Sequence, residues 1–357
     1  MDTHYNHPLL IAGPCSAESR EQVLETASAL AKLGVKYFRA GVWKARTSPG
    51  CFEGIGAPAI EWLVEVRERF GMLIGTEVAS PEHARLALDA KLDFLWIGAR
   101  TSSNPFVVEQ IASSMSGIPP TTLVLVKNPI APSLKLWQGA INRMRDHGIT
   151  NLAALHRGFD IGQHPYYRNS PLWHLALELR QAEPSLPLLF DPSHVAGESK
   201  YVPDLALQAL QRWCYDGLMI ESHIHPTEAL SDAKQQLTPN EIGKLLESIT
   251  ALPRVAKTEL GESLLEDYRS QIDQIDEEII RLLGKRRELS KQIGKVKEQS
   301  GQSALQLDRY KEVLQNRAEL AKIYGTTPQM VQELYELIHE DSVQAQSHPK
   351  EADLDED

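Results

Sequence analysis

A thiol, an imidazole and two carboxylates stand at Cys15, His194, Glu221 and Asp232, each closing or following a short apolar run. One sulfur, one nitrogen and two oxygen donors make a mixed set suited to a borderline divalent ion such as manganese, iron, cobalt or zinc. No local spacing motif ties the four together, so a fold must gather them. Similar runs end on bases. Arg39, Lys44, Arg100, Lys127 and Arg157 are five cations in a chain of formal net charge -11. A substrate carrying phosphate and carboxylate groups accounts for their convergence on one mouth. The acidic balance argues against nucleic acid as a partner, because phosphate backbones require a basic surface. No apolar segment approaches the roughly 20 residues that span a bilayer, and the start carries no export-like run, so no membrane partner is expected. Cys15, Cys51 and Cys214 are too few and scattered for a disulfide framework. Reduced thiols in a cytoplasmic chain are the expectation.

The elements that position these groups are legible in the alternation of short apolar runs with amphipathic stretches. The runs are LLIAG, YFRAG, MLIGTEV, FLWIGAR, TTLVLVK, NLAALHR, PLLFDPSH and GLMIESH. Eight strand-plus-helix repeats predict an α/β fold, a (β/α)8 TIM barrel in preference to an open doubly wound sheet. In such a barrel the chemistry sits at the carboxyl ends of the strands, where these residues fall. The 357 residues exceed one ordinary domain. The expected boundaries are a barrel over 1–254, a linker over 255–263, a small all-α domain over 264–346 and an acidic, disordered tail over 347–357. From Tyr268 the positions Ile272, Ile275, Ile279, Leu282, Leu289, Ile293 and Val296 step by three and four, predicting a helix of roughly 35 residues with a heptad-like seam. Shorter helices over 304–323 and 327–345 follow. A seam this long cannot be buried by its own short domain, so a homodimer or higher homo-oligomer is expected.

Arg286 interrupts that seam between Leu282 and Leu289. A guanidinium there is costly unless it meets an anion. Arg269 and Lys297 lie four heptads apart, and on a 3.5-residue period Arg286 falls within ~50° of both. Three cations thus share one face.

The strings GPCS at 13–16, RAGVWKARTSP at 39–49, IGART at 97–101, DPSH at 191–194 and ALSDA at 229–233 resemble, as an ordered set, the 3-deoxy-D-arabino-heptulosonate 7-phosphate synthases of the short bacterial subclass. The resemblance implies condensation of phosphoenolpyruvate with erythrose 4-phosphate on one divalent metal held by Cys15, His194, Glu221 and Asp232. It implies that Arg39, Lys44, Arg100, Lys127 and Arg157 bind phosphoenolpyruvate, and that Arg46 and Thr47 take the phosphate of the aldehyde. Lys127 is the expected proton donor, its pKa depressed by cationic neighbours and opposed by Glu77. Ala45 stands where the family commonly has proline, which implies a less rigid loop. KNP at 127–129 also departs from the subclass. The sister synthase that uses arabinose 5-phosphate is the alternative, and KARTSP at 44–49 favours erythrose 4-phosphate over it.

The strings RSQID, LLGKRREL, GKVK and HEDSVQAQ resemble the all-helical chorismate mutases. That likeness implies rearrangement of chorismate to prephenate without a cofactor. Arg269, donated by a partner subunit, would bind the two carboxylates with Arg286 and Arg309. Lys297 and Gln346 would donate to the ether oxygen, with Ser342 nearby. Gln306 and Tyr310 stand where relatives often have acids. The alternative is a non-catalytic dimerisation or effector-binding module, and feedback on the barrel through this domain is expected in either case.

Overall fold

The computed structural model describes residues 8–44, 50, 52–162, 166–251, 259–303 and 305–347. The chain divides into two compact units, Met1–Pro253 and Arg254–Asp357.

In the first unit eight strands run β1 Leu9–Gly13, β2 Tyr37–Arg39, β3 Leu73–Val78, β4 Phe94–Ile97, β5 Leu123–Lys127, β6 Leu152–His156, β7 Leu188–Phe190 and β8 Gly217–Glu221. They pair in chain order, all parallel, and β1 closes on β8 with Leu9 opposite Gly217 and Gly13 opposite Glu221. The helices are α1 Arg20–Lys32, α2 Pro58–Phe70, α3 Pro81–Asp89, α4 Ala99–Ser102, α5 Pro105–Ser114, α6 Leu134–Asp146, α7 Trp173–Ala182, α8 Pro192–Ala196, α9 Val202–Arg212 and α10 Pro239–Thr250.

The strands are short because each contributes only a few apolar residues, buried on both faces. One set, Ile11, Phe94, Trp96, Leu125, Leu155, Leu189 and Met219, fills the barrel. The other, including Phe38, Ile74, Leu95, Val124 and Leu218, meets the helices outside. Side-chain caps set several helix starts. Ser19 accepts from Gln22 N, Ser80 from His83 N and Ser133 from Leu136 N, and Thr238 with Glu241 forms a capping box at α10.

The second unit contains α11 Glu259–Ser300, α12 Leu307–Ile323 and α13 Pro328–Ser347. The long helix begins nine residues before Tyr268, so the last five residues of the expected 255–263 linker are helical. Helix-forming Glu and Leu carry the helix back through Gly261. Residues 252–258 and the tail 348–357 lie outside the described residues. Among the described residues no helix is long and apolar enough to cross a membrane. Ile272, Ile275, Ile279, Leu282, Leu289, Ile293 and Val296 form the seam, and all are exposed.

Candidate active sites

At the carboxyl end of the barrel, Cys15, Glu221 and Asp232 each offer a ligand atom within 4.8 Å of the other two. Cys15 follows β1, Glu221 ends β8, and Asp232 follows β8 with a left-handed φ of 46°. Closure of β1 on β8 makes the cluster possible: the Cys15 thiol donates to Asp232 Oδ2 at 3.2 Å across 217 residues of sequence. His194 lies in α8 at the end of β7, its Nε2 3.7 Å from Glu221 Oε1 and its Nδ1 2.8 Å from Asp191 Oδ2.

The electrostatics of this cluster suit a cation. Burial first, then the carboxylates of Glu221 and Asp232, push the Cys15 thiol up to about 12. A positive charge against the sulfur is what would make it a thiolate. Burial lowers the His194 imidazole in spite of Asp191, favouring the neutral form that ligates metals. Burial would raise both carboxyls. For Glu221 the charges of His194, Arg39 and Lys44 outweigh it, and for Asp232 those of Lys44, His194 and Arg168 do, holding both below the usual carboxylate range. Lys44 reaches into the cluster, donating to Cys15 Sγ at 2.5 Å and lying 3.5 Å from Asp232 Oδ2. One ammonium beside two carboxylates and a thiol leaves room, by charge and by donor type, for a divalent ion.

The bases close the other side. Arg39 is 1% exposed, pairs with Glu221 Oε1 at 3.2 Å and lies over the Trp96 ring. Its Nε and Nη1 make no hydrogen bond. Two unsatisfied guanidinium N–H groups in a buried site are costly, and they suit an anionic ligand. Lys44, Glu77, Arg100, Lys127, Arg157, Arg168, His194 and Asp232 line one cleft, which the inward-folded side chains narrow to about 50 Å³. A far larger cavity of about 900 Å³ lies at the opposite end of the barrel, against Leu9, Tyr37, Leu123 and Leu189. Volume does not mark the chemistry here. The donor set and the clustered bases stand at the carboxyl end, while the larger space is bordered by Lys91, Asp93 and Asp216 and has no thiol or imidazole among its lining residues.

Lys127 sits differently from the sequence expectation. Its Nζ donates to Asp191 Oδ2 at 2.9 Å in a fully buried pair, so an anion, not a cation, faces it most closely. Asp191 is itself held well below its ordinary value: burial raises it, and His194, Lys127 and Arg39 together overcome that. Arg157 is pressed down to about 10, chiefly by burial, and stays protonated at neutral pH. Asn128 is the buried tie between β5 and β6. Its Oδ1 accepts from Arg157 N at 2.7 Å and its Nδ2 donates to Gly158 O at 2.8 Å, which gives the KNP string a structural task. Arg46 and Thr47 lie outside the described residues. Arg168 and Gln235 escaped the sequence reading, since no strand-end rule singles them out; Asp191, the residue directly after β7, stood in DPSH without a role.

In the helical unit, α11 and α13 approach so closely that a Cβ on Gly294 would lie 2.6 Å from Gln346 O, a contact only glycine permits. That approach places Lys297 Nζ 3.0 Å from Gln346 Oε1. Arg286 donates to Ser342 Oγ and, at 3.2 Å, to Ile338 O. Arg286, Lys297, Ser342 and Gln346 are therefore gathered between two helices. Arg269 and Arg309 are not: each is exposed and pairs on its own helix, Arg269 within 3.6 Å of Glu266 and Arg309 at 2.7 Å from Glu312. Tyr310 packs on His339 with ring centroids 4.5 Å apart. Gln306 precedes α12 and donates to Gln302.

A closed parallel barrel with a thiol and two carboxylates gathered at its carboxyl end, bordered by buried bases, defines a (β/α)8 protein with a candidate site at the carboxyl ends of its strands. The chain belongs to the DAHP synthetase I family, whose family model matches residues 4–256. A second match, to chorismate mutase type II, covers residues 268–347. The chain is thus a fusion of a barrel domain with an all-helical mutase-type domain. It is 32% identical over 228 residues to a phospho-2-dehydro-3-deoxyheptonate aldolase of Thermotoga maritima, a match covering 64% of each chain. It therefore spans less than two thirds of that relative's length. A 2-dehydro-3-deoxyphosphooctonate aldolase of Bordetella petrii is 29% identical over 72% of this chain and 95% of its own. The crystal structure of the Thermotoga maritima aldolase (DAHP synthase) superposes with a TM-score of 0.61 at 28% identity, over 71% of this chain and 72% of that one.

Proposed function

We propose that the barrel condenses phosphoenolpyruvate with erythrose 4-phosphate to 3-deoxy-D-arabino-heptulosonate 7-phosphate, and that the helical domain converts chorismate to prephenate. The observation that carries the first activity is the pairing of the Cys15, Glu221 and Asp232 cluster with Arg39, whose buried Nε and Nη1 lack hydrogen-bond partners. Cys15, Glu221 and Asp232, with His194 beside them, would hold one divalent ion, which would supply Lewis-acid polarisation of the aldehyde carbonyl. Arg39, Lys44, Arg100 and Arg157 bind and orient phosphoenolpyruvate so that its methylene carbon attacks that carbonyl, water captures the cationic carbon left behind, and inorganic phosphate departs. Lys127, kept in place by Asp191, gives a proton to the alkoxide that forms. Arg46 and Thr47 take the aldehyde phosphate.

In the helical domain Arg286 grips a carboxylate of chorismate while Lys297 and Gln346 donate to the ether oxygen as charge grows there. No nucleophile or cofactor is required for the rearrangement, only a held conformer and a placed donor. The exposed seam of α11 packs against a second copy, bringing the partner's arginine 269 equivalent to the carboxylates together with Arg309.

Steady-state assays of the full-length chain test the substrate assignment. Erythrose 4-phosphate should be turned over far better than arabinose 5-phosphate, and the reverse preference would move the barrel to the activity named for the Bordetella petrii relative. Binding of chorismate or prephenate in the helical domain is also proposed to inhibit the barrel, a coupling of about 1–3 kcal/mol being usual. Prephenate should inhibit the parent synthase and lose that effect in Arg286→Ala. Equal inhibition of both proteins would place the effector on the barrel.

A further inference from the structure

Arg168, in the segment between β6 and α7, belongs to none of the motifs that carry the family likeness, yet it braces both carboxylates of the cluster. Its Nη1 donates to Asp232 Oδ1 at 3.1 Å and to Gln235 Oε1 at 2.9 Å. Gln235 is buried and passes the brace on, its Nε2 donating to Glu221 Oε2 at 2.7 Å. The four carboxylate oxygens are thereby divided. Asp232 Oδ1 and Glu221 Oε2 are held from behind. Asp232 Oδ2 faces Cys15 Sγ at 3.2 Å, and Glu221 Oε1 faces Arg39 at 3.2 Å and His194 Nε2 at 3.7 Å.

The seat for Arg168 is specific. Its N–H donates to Ala196 O at 3.3 Å, next to the carboxyl end of α8. At Gly197, with φ 72°, a Cβ would stand 2.5 Å from Arg168 Cβ, so glycine is what lets the arginine lie there. Asp232 stands at φ 46°, a left-handed conformation that few non-glycine residues adopt. On the far side of Arg168 and Asp232 an outer cavity of about 490 Å³ opens, lined also by Tyr166, Tyr167 and Lys234. Without the guanidinium, that space lets the Asp232 carboxylate turn away from Cys15.

We propose that Arg168 and Gln235 are positioning residues that orient the Asp232 and Glu221 carboxylates toward a divalent ion shared with Cys15. The proposal rests on the metal reading given under Proposed function. Outer partners of this kind fix the orientation of ligand side chains, and their loss costs about 10- to 100-fold in metal affinity.

The test is equilibrium titration of the metal-free, full-length chain with Mn(II), and with Cd(II) followed by its thiolate charge-transfer absorbance, for the parent, Arg168→Ala, Arg168→Lys and Gln235→Leu. Arg168→Ala should weaken Mn(II) binding by about 10- to 100-fold, with the Cd(II)–thiolate band still appearing at higher metal because Cys15 remains. Arg168→Lys should recover part of the loss. Gln235→Leu should weaken binding in the same direction, since Glu221 loses its brace. Unaltered thermal transitions of the metal-free variants separate this from unfolding, and if Arg168→Ala does not fold, the other two variants decide. Affinities within twofold of the parent overturn the proposal. A parent chain that takes up no Mn(II) overturns the metal reading and this proposal with it, whereas a binding parent with unchanged variants overturns this proposal alone.

Discussion

The barrel and the helical unit use the same kinds of residue to opposite ends. In the barrel, bases and acids meet within one chain: Arg39 with Glu221, Lys127 with Asp191, Lys44 with Cys15 and Asp232. Two apolar layers enclose them, one inside the strands and one outside. In the helical unit the only buried apolar side chains among the described residues are Ala321 and Ala345, and the α11 seam stands exposed. Among the described residues, the barrel encloses its own core and gathers the Cys15, Glu221 and Asp232 cluster within one chain. The helical unit brings Arg286 and Lys297 together, two of its four candidate-site cations, and leaves Arg269 and Arg309 exposed. A closed barrel has no unpaired edge, so its active-site residues are held from all sides. The three helices leave their apolar stripe exposed, and under the proposed dimer a second copy would cover it and complete the site.

The largest expected effect separates the two sites by chemistry. Chelation, or Cys15→Ala, should reduce synthase turnover by about a thousandfold or more while mutase turnover is unchanged, since a Lewis acid and its bound geometry contribute several kcal/mol. Parallel assays on one preparation check this, and full synthase activity in metal-free Cys15→Ala would break the division. Next in size, Lys297→Ala should cut the mutase rate by about 100-fold, the loss expected when one preorganised donor to developing charge is removed, with the barrel untouched. An unchanged mutase rate would show that the Lys297 and Gln346 pair does not meet the ether oxygen.

The smallest effect concerns stability. His156, at the end of β6, is enclosed by Trp137, Phe159, Trp173, Phe190 and Tyr215, and its Nδ1 lies 2.6 Å from Tyr215 Oη. Burial pushes it down from 6.5 to about 3. A histidine neutral in the folded state and free to protonate when unfolded leaves stability intact above pH 6.5 and erodes it as pH falls from 6.5 toward 3, because the unfolded chain then binds the extra proton. At pH 5 the loss is about 2 kcal/mol. Denaturant titrations at pH 7 and pH 5 should show it in the parent and a reduced pH dependence in His156→Phe. The same slope in both proteins would assign the acid sensitivity to other groups.

Much of this architecture was legible in one dimension. Eight apolar runs, each ending on a residue with chemistry, specify parallel strands and a common carboxyl-end mouth, because strand period and strand polarity are local properties of the chain. The stepping of Ile272 to Val296 likewise announces one long helix. Its first turns were missed because Gly261 and Ser263 mask them, although Leu260, Leu264 and Leu265 step by four and three into Tyr268. Residue types suggested the donors Cys15, Glu221 and Asp232, but only the closure of β1 on β8 brings a thiol and a carboxylate 217 positions apart to 3.2 Å. The partner of Lys127 was unreadable for a related reason. Lys127 ends β5 and Asp191 follows β7, two strands away in the barrel, and which side chain turns toward which depends on the tilt of the strands and the space each neighbour leaves. Arg168 lies in a loop and Gln235 ends a single 3-10 turn, neither with a period to read, and the room made by Gly197 lets Arg168 reach Asp232. Residue chemistry and local period belong to the sequence, while pairing between distant loops is set by the three-dimensional closure that fixes their separation and excludes water around them.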